Sequence, residues 1–158
     1  MGEFQIRRVE SVEEAQAAQE ILREYAQSLA HHLCLTDFQG ELDGLPGQYA
    51  PPGGELFLAW QGKQLAGCVA LRRLDANTGE MKRLYVRRAF RRCGLGRRLV
   101  QEAIRLARRG GYARLRLDTL PTMKEAVGLY ESLGFHRLPS DARAACGGRF
   151  WMELELRD

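Results

Sequence analysis

Apolar and polar residues alternate in Phe4-Gln5-Ile6-Arg7-Arg8-Val9, which predicts a first strand. Ser11 with Glu14 three residues later is a capping-box pattern. The following spacing predicts a helix from about 12 to 30, with Ala15, Ala18, Ile21, Leu22, Tyr25 and Leu29 on one face. Thr36-Asp37-Phe38 opens a short second helix to about 44, and Leu45-Pro46-Gly47 and Pro51-Pro52-Gly53-Gly54 mark a loop. Leu56–Trp60 and Leu65–Leu71 pair as a hairpin around Gln61-Gly62-Lys63. After a turn at 75–79, Glu80 to Val86 reads as a strand. A helix covers about 95–109 and stops at Gly110-Gly111. A strand at 113–119, a helix at 124–133 with Gly134 beyond it, a short strand at 135–138, a loop at 139–149 and a strand at 150–156 complete the chain.

The predicted order is β-α-α-β-β-β-α-β-α-β-β. It implies an α+β fold with one mixed, twisted sheet of six to seven strands and helices on both faces. Residues 1–158 are expected to form one domain. No run approaches the roughly 20 apolar residues of a membrane span, and MGEFQIRRVE has no apolar leader core. Cys34, Cys68, Cys93 and Cys146 are scattered without a C-x-x-C pair, so no metal is expected and reduced thiols in a cytoplasmic protein are the reading.

Charge sharpens the picture. Residues 81–117 hold 13 Lys and Arg against one acid, net +12; the other 11 bases and 19 acids leave −8 elsewhere. The basic segment contains Arg91-Arg92-Cys93-Gly94-Leu95-Gly96 between a strand and a helix. Glycines and arginines at a helix N-terminus suit a pyrophosphate, because outward amides, the helix dipole and missing Cβ atoms all favour a close anion. A Rossmann fingerprint fails, since its third glycine position is Leu99. A P-loop fails, since Arg97-Arg98 replace Lys-Ser/Thr.

The Arg91-x-x-Gly94-x-Gly96 spacing resembles the acetyl-CoA signature of the GNAT superfamily of N-acetyltransferases. Ala126, Leu129, Tyr130, Gly134 and Phe135 resemble its second signature, A-x-x-L-Y-x-x-x-G-F, and the intervening elements come in the family's order over about 55–138. GEMKRLYV and LDTLPTMKEA look like a bacterial subgroup whose substrates are mostly unassigned. The resemblance implies a GNAT-like fold and direct acetyl transfer from acetyl-CoA to a primary amine, releasing coenzyme A. The acceptor would be a small molecule, an amino acid derivative or a peptide N-terminus. Backbone groups of Leu84, Tyr85 and Val86 would hold pantetheine. Amides of Arg92, Cys93, Gly94, Leu95, Gly96 and Arg97, with Arg91 as charged partner, would hold pyrophosphate. Tyr130 would be the acid and Glu80 the base. Tyr25, Phe38 and Tyr49 are candidates for the acceptor pocket, with His31, His32 and the loop 139–149 nearby. Met123 stands where many members carry an Asn that contacts pantetheine.

Alternation along the predicted strand puts Glu80, Lys82 and Leu84 on one face and Met81, Arg83 and Tyr85 on the other, unless a bulge intervenes. Two other functions fit parts of the pattern: a non-catalytic acyl-CoA sensor, and a nucleic-acid module using Arg97, Arg98, Arg105, Arg108 and Arg109. No RNP-type or helix-turn-helix pattern accompanies the latter. An exposed C-terminal strand would offer pairing across a homodimer.

Overall fold

The computed structural model describes residues 3–29, 38–139 and 148–157. Its elements are β1 (Gln5–Arg8), α1 (Val12–Ser28), α2 (Phe38–Asp43), β2 (Glu55–Gln61), β3 (Gln64–Asp75), β4 (Thr78–Val86), α3 (Leu95–Arg109), β5 (Arg114–Thr119), α4 (Lys124–Ser132), β6 (His136–Arg137) and β7 (Phe150–Glu155). Single 3₁₀ turns cover Gly47–Tyr49 and Arg88–Phe90. The strands form one seven-stranded sheet in the order β1-β2-β3-β4-β5-β7-β6. Every pairing is antiparallel except β4 with β5. This matches the predicted element order, with β3 running four residues further than expected.

The start of α1 is the expected capping box. Ser11 Oγ accepts from the Glu14 amide at 3.1 Å, and Glu14 Oε1 accepts from the Glu10 amide at 3.0 Å. The helix buries Ala18, Ile21, Leu22 and Tyr25. Beside Leu56, Leu58, Cys68, Ala70 and Tyr49, most of that stripe forms the core under one sheet face. The opposite face packs Phe57, Val69, Leu71, Met81, Leu115 and Leu117 against Leu95, Leu99, Ala103 and Ala107 of α3. Burial of these two apolar layers is the main driving force for the three-layer arrangement.

Strand β7 lies between β5 and β6 rather than at the sheet edge. Its expected exposure is therefore corrected: β6 covers it at Met152 and Glu153, and the edge element is the two-residue β6. No helix of the described residues is long and apolar enough to cross a membrane.

Candidate active site

The site begins where two parallel strands part. β4 and β5 are paired only from Thr78–Arg114 to Glu80–Arg116. Beyond that point β4 continues along β3, while β5 continues along β7. The wedge between them is a cleft. Lys82, Arg83 and Leu84 line one wall, Leu117, Asp118 and Thr119 the other, and Tyr25, Met123, Tyr130 and Arg149 complete it.

A bulge shapes the β4 wall. Ala70 lies opposite Lys82 and Cys68 opposite Tyr85, so β4 spends one more residue than β3 over this stretch. Arg83 takes up the extra residue at φ +62°, a left-handed conformation uncommon for arginine. The buried Cys68 thiol donates to the Arg83 carbonyl at 3.2 Å. Burial pushes that thiol up to about 12, so it stays protonated.

The bulge corrects the simple alternation. Met81 packs into the α3-side core, and beyond the bulge Leu84 and Val86 do so too, while Tyr85 joins the α1-side core. Arg83 also turns to the α1 and α2 side. Its guanidinium donates to Glu41 through Nε at 2.9 Å and a terminal nitrogen at 2.8 Å. It lies 5.8 Å from the ring centres of both Tyr25 and Phe38. Burial alone would raise the Glu41 carboxyl, but the hydrogen bonds and charge of Arg83 outweigh it and hold Glu41 below its ordinary value. Tyr49 is fully buried within this group.

Tyr130 comes from α4 and lines the cleft while 94% buried. Its ring is tilted against Phe135 with centres 5.8 Å apart. The turn that fixes this contact needs Gly134 at φ +101°, and the Phe135 amide bonds back to the Tyr130 carbonyl at 3.0 Å. Burial raises the Tyr130 phenol above its ordinary value, so it holds its proton. On the β5 wall, Arg149 Nε donates to Asp118 at 3.0 Å.

Glu80 sits at the last β4–β5 pair, immediately before the strands part. It is 2% exposed and outside the lining of the cleft. Arg72 reaches it through Nε at 2.7 Å and a terminal nitrogen at 2.6 Å, both on Oε1.

At the far end of β4, Arg92 at φ +64° and Gly94 at φ +79° turn the chain into α3. Gly94 is the helix cap and supplies no side-chain acceptor to the first-turn amides. A Cβ on Gly96 would reach only ordinary contact, 3.6 Å from Leu129. Packing within the chain therefore does not demand this glycine. Arg91 folds back, donating from Nε to the Val86 carbonyl at 2.8 Å with its guanidinium 5.7 Å from the Tyr85 ring centre. Arg87 anchors the loop to Glu24, to Glu20 and to the Leu65 carbonyl. Arg97 joins α3 to α4 through Ser132 at 2.8 Å.

Of the expected site residues, Leu84, Tyr25 and Tyr130 line the wedge, while Tyr85, Val86 and the loop 91–97 follow along the chain from β4 into α3. Phe38 and Tyr49 are drawn to Arg83, and Glu80 is set one step behind. His31, His32 and most of the loop 139–149 lie outside the described residues. Sequence reasoning missed Lys82, Arg83 and Glu41 as members of the site. Their one signal was a Lys-Arg pair inside a strand with an apolar face.

Comparison with known proteins agrees with the fold. The model of the acetyltransferase (GNAT) family matches residues 15–135. The chain is 38% identical over 117 residues to an uncharacterized N-acetyltransferase of Schizosaccharomyces pombe, covering 73% of this chain and 72% of that one. An acetyltransferase from Streptococcus agalactiae superposes with a TM-score of 0.81 at 22% identity, over 97% of this chain and 98% of that one. A Salmonella typhimurium acetyltransferase, solved with acetyl-CoA, superposes at 0.75 with 20% identity over 98% and 95%.

Proposed function

Since the chain belongs to the GNAT family of acetyltransferases, we propose that its wedge between β4 and β5 binds acetyl-CoA and that a primary amine is acetylated there. The observation that carries this reading is the parting of β4 from β5, with β4 leading on into an α3 N-terminus that has no side-chain cap. An extended pantetheine arm has the shape of a missing strand, and the β4 edge beyond its last pair with β5, at Leu84, Tyr85 and Val86, is where it would bond, Arg91 giving up the Val86 carbonyl. A pyrophosphate fits the first-turn amides of α3, from Arg92 to Arg97, with nothing of the chain near a Cβ position on Gly94. The Salmonella relative solved with acetyl-CoA supports the same ligand for this site.

Acetyl-CoA supplies the acetyl group as a thioester; the remaining work falls to the chain. Tyr130 holds a proton in the cleft at neutral pH and can donate it to a leaving thiolate. Glu80 is proposed as the base, acting through water: both Arg72 contacts fall on Oε1, leaving Oε2 to accept. The bulge at Arg83 aims the Leu84 amide differently from a regular strand, and that amide would polarise the acyl carbonyl.

Calorimetric titration with acetyl-CoA, followed by thiol release with an amine panel, tests the reading. Saturable binding plus amine-dependent thiol release is expected. Binding without any turnover would leave a sensor in place of an enzyme. Absence of binding to the folded chain would remove the proposal altogether.

A further inference from the structure

The charged groups lining the cleft point to the acceptor. Three cations line it, Lys82, Arg83 and Arg149, against a single lining acid, Asp118. Arg83 is neutralised by Glu41, and Arg149 pairs with Asp118. Lys82 has no hydrogen-bond or ion-pair partner among the described residues. Extending the β4–β5 register by two residues from Glu80–Arg116 sets Lys82 and Asp118 on facing walls of the wedge.

We propose that the acceptor amine also carries a carboxylate, which Lys82 binds in the cleft. This rests on the acetyl-transfer reading of the same cleft. Taking an ammonium partly out of water without a partner is costly, and a carboxylate counter-ion offsets that cost. Burial does lower the Lys82 ammonium from its ordinary value, partly opposed by Glu80, as expected for a charge awaiting an anion. The charge left after pairing is about that of one cation, which suits a singly charged carboxylate better than a phosphate dianion. Asp118 lies on the facing wall with its carboxylate held by Arg149, so that wall brings no net charge of its own to the acceptor. The ring of Tyr25 lines the same cleft. An amine of the amino acid type supplies the anion that Lys82 lacks; a polyamine or a basic peptide would meet Lys82 with like charge.

Matched acceptors decide the matter. Thiol release would be measured with L-amino acids, the corresponding amino acid amides and the decarboxylated amines, each at saturating acetyl-CoA. The expected result is a kcat/KM at least tenfold higher for carboxylate-bearing acceptors. In Lys82→Met that preference should fall to near unity through KM, and in Lys82→Arg it should be largely retained. Acetyl-CoA titration of both variants reports whether the donor site and fold are intact. Preference for the amides or amines, an unchanged preference in Lys82→Met, or no acetylation of any panel member by a protein that binds acetyl-CoA would overturn the proposal. Loss of acetyl-CoA binding in the wild type would instead remove the underlying acetyl-transfer reading.

Discussion

Arg83 and Glu41, 42 residues apart in sequence, meet through two hydrogen bonds of 2.9 and 2.8 Å behind the wall of the cleft. Both side chains are close to buried, at 8% and 12% exposure. A bidentate pair of this kind fixes the guanidinium plane as well as its charge. It ties α2 to the β4 bulge, so the short helix and the cleft wall hold each other in place.

Removing one partner would leave an uncompensated charge. Glu41→Gln is expected to destabilise the protein by about 3 kcal/mol or more, whereas Glu41→Leu with Arg83→Met should cost much less than the single change. Urea unfolding of the single and double variants checks this. The pH dependence follows from the lowered Glu41 carboxyl. The unfolded chain takes up this proton more readily, so the pair's stabilisation is complete above the ordinary carboxylate range. It is lost as pH falls through the lower folded value. Glu41→Gln should therefore flatten the acid limb of the stability profile, and an unchanged acid limb would count against the pair.

Tyr130→Phe removes one hydroxyl from a ring whose packing on Phe135 is apolar. We expect kcat to fall by roughly 10²-fold or more, the usual worth of a positioned acid, with acetyl-CoA affinity within about twofold of wild type. Burial raises the phenol above its ordinary value, so any loss of activity from its ionisation belongs at strongly alkaline pH. A variant retaining full kcat would assign the proton to water.

Much of this architecture is legible in the sequence. The span of α3, Leu95–Arg109, coincides with the helix read from periodicity, because a strong apolar stripe and a double glycine bound it. The Ser11 cap and the Gly134 turn were likewise local signals. The β4 bulge was allowed for on this strand but had no local signal to place it. It needs a left-handed arginine, which no turn residue announces, and it is stabilised by Glu41 and Cys68 from other elements. Once a bulge intervenes, period-two alternation no longer tells which face a residue occupies, so Arg83 and Leu84 exchanged sides relative to the simple reading. The Asp118–Arg149 contact likewise depends on residues brought together only by the folded sheet.

Gly96 separates ligand demands from folding demands. Its Cβ position is free of internal collision, so Gly96→Leu should lower stability by no more than about 1 kcal/mol, the usual glycine effect inside a helix being favourable to the larger residue. Acetyl-CoA affinity should nevertheless fall at least tenfold, since the side chain would fill the space beside the first-turn amides. Thermal unfolding and calorimetry on one preparation distinguish the two effects. A Gly96→Leu protein that binds normally would place the pyrophosphate elsewhere.

Two cysteines report on the same site from opposite sides of the sheet. Cys68 is fully buried behind the bulge, its thiol pushed up to about 12 by that burial. Thiolates, not thiols, are the reactive species, so Cys68 should resist alkylation until the protein unfolds. Cys93 is partly exposed in the turn leading into α3. It should be modified in the native state and be protected by saturating acetyl-CoA, because a pyrophosphate on the neighbouring amides would cover the turn. Alkylation followed by peptide mapping reads both sites in one experiment. Native labelling of Cys68 would contradict a closed β3–β4 seam, and labelling of Cys93 at the same rate with and without acetyl-CoA would move the ligand away from the α3 N-terminus.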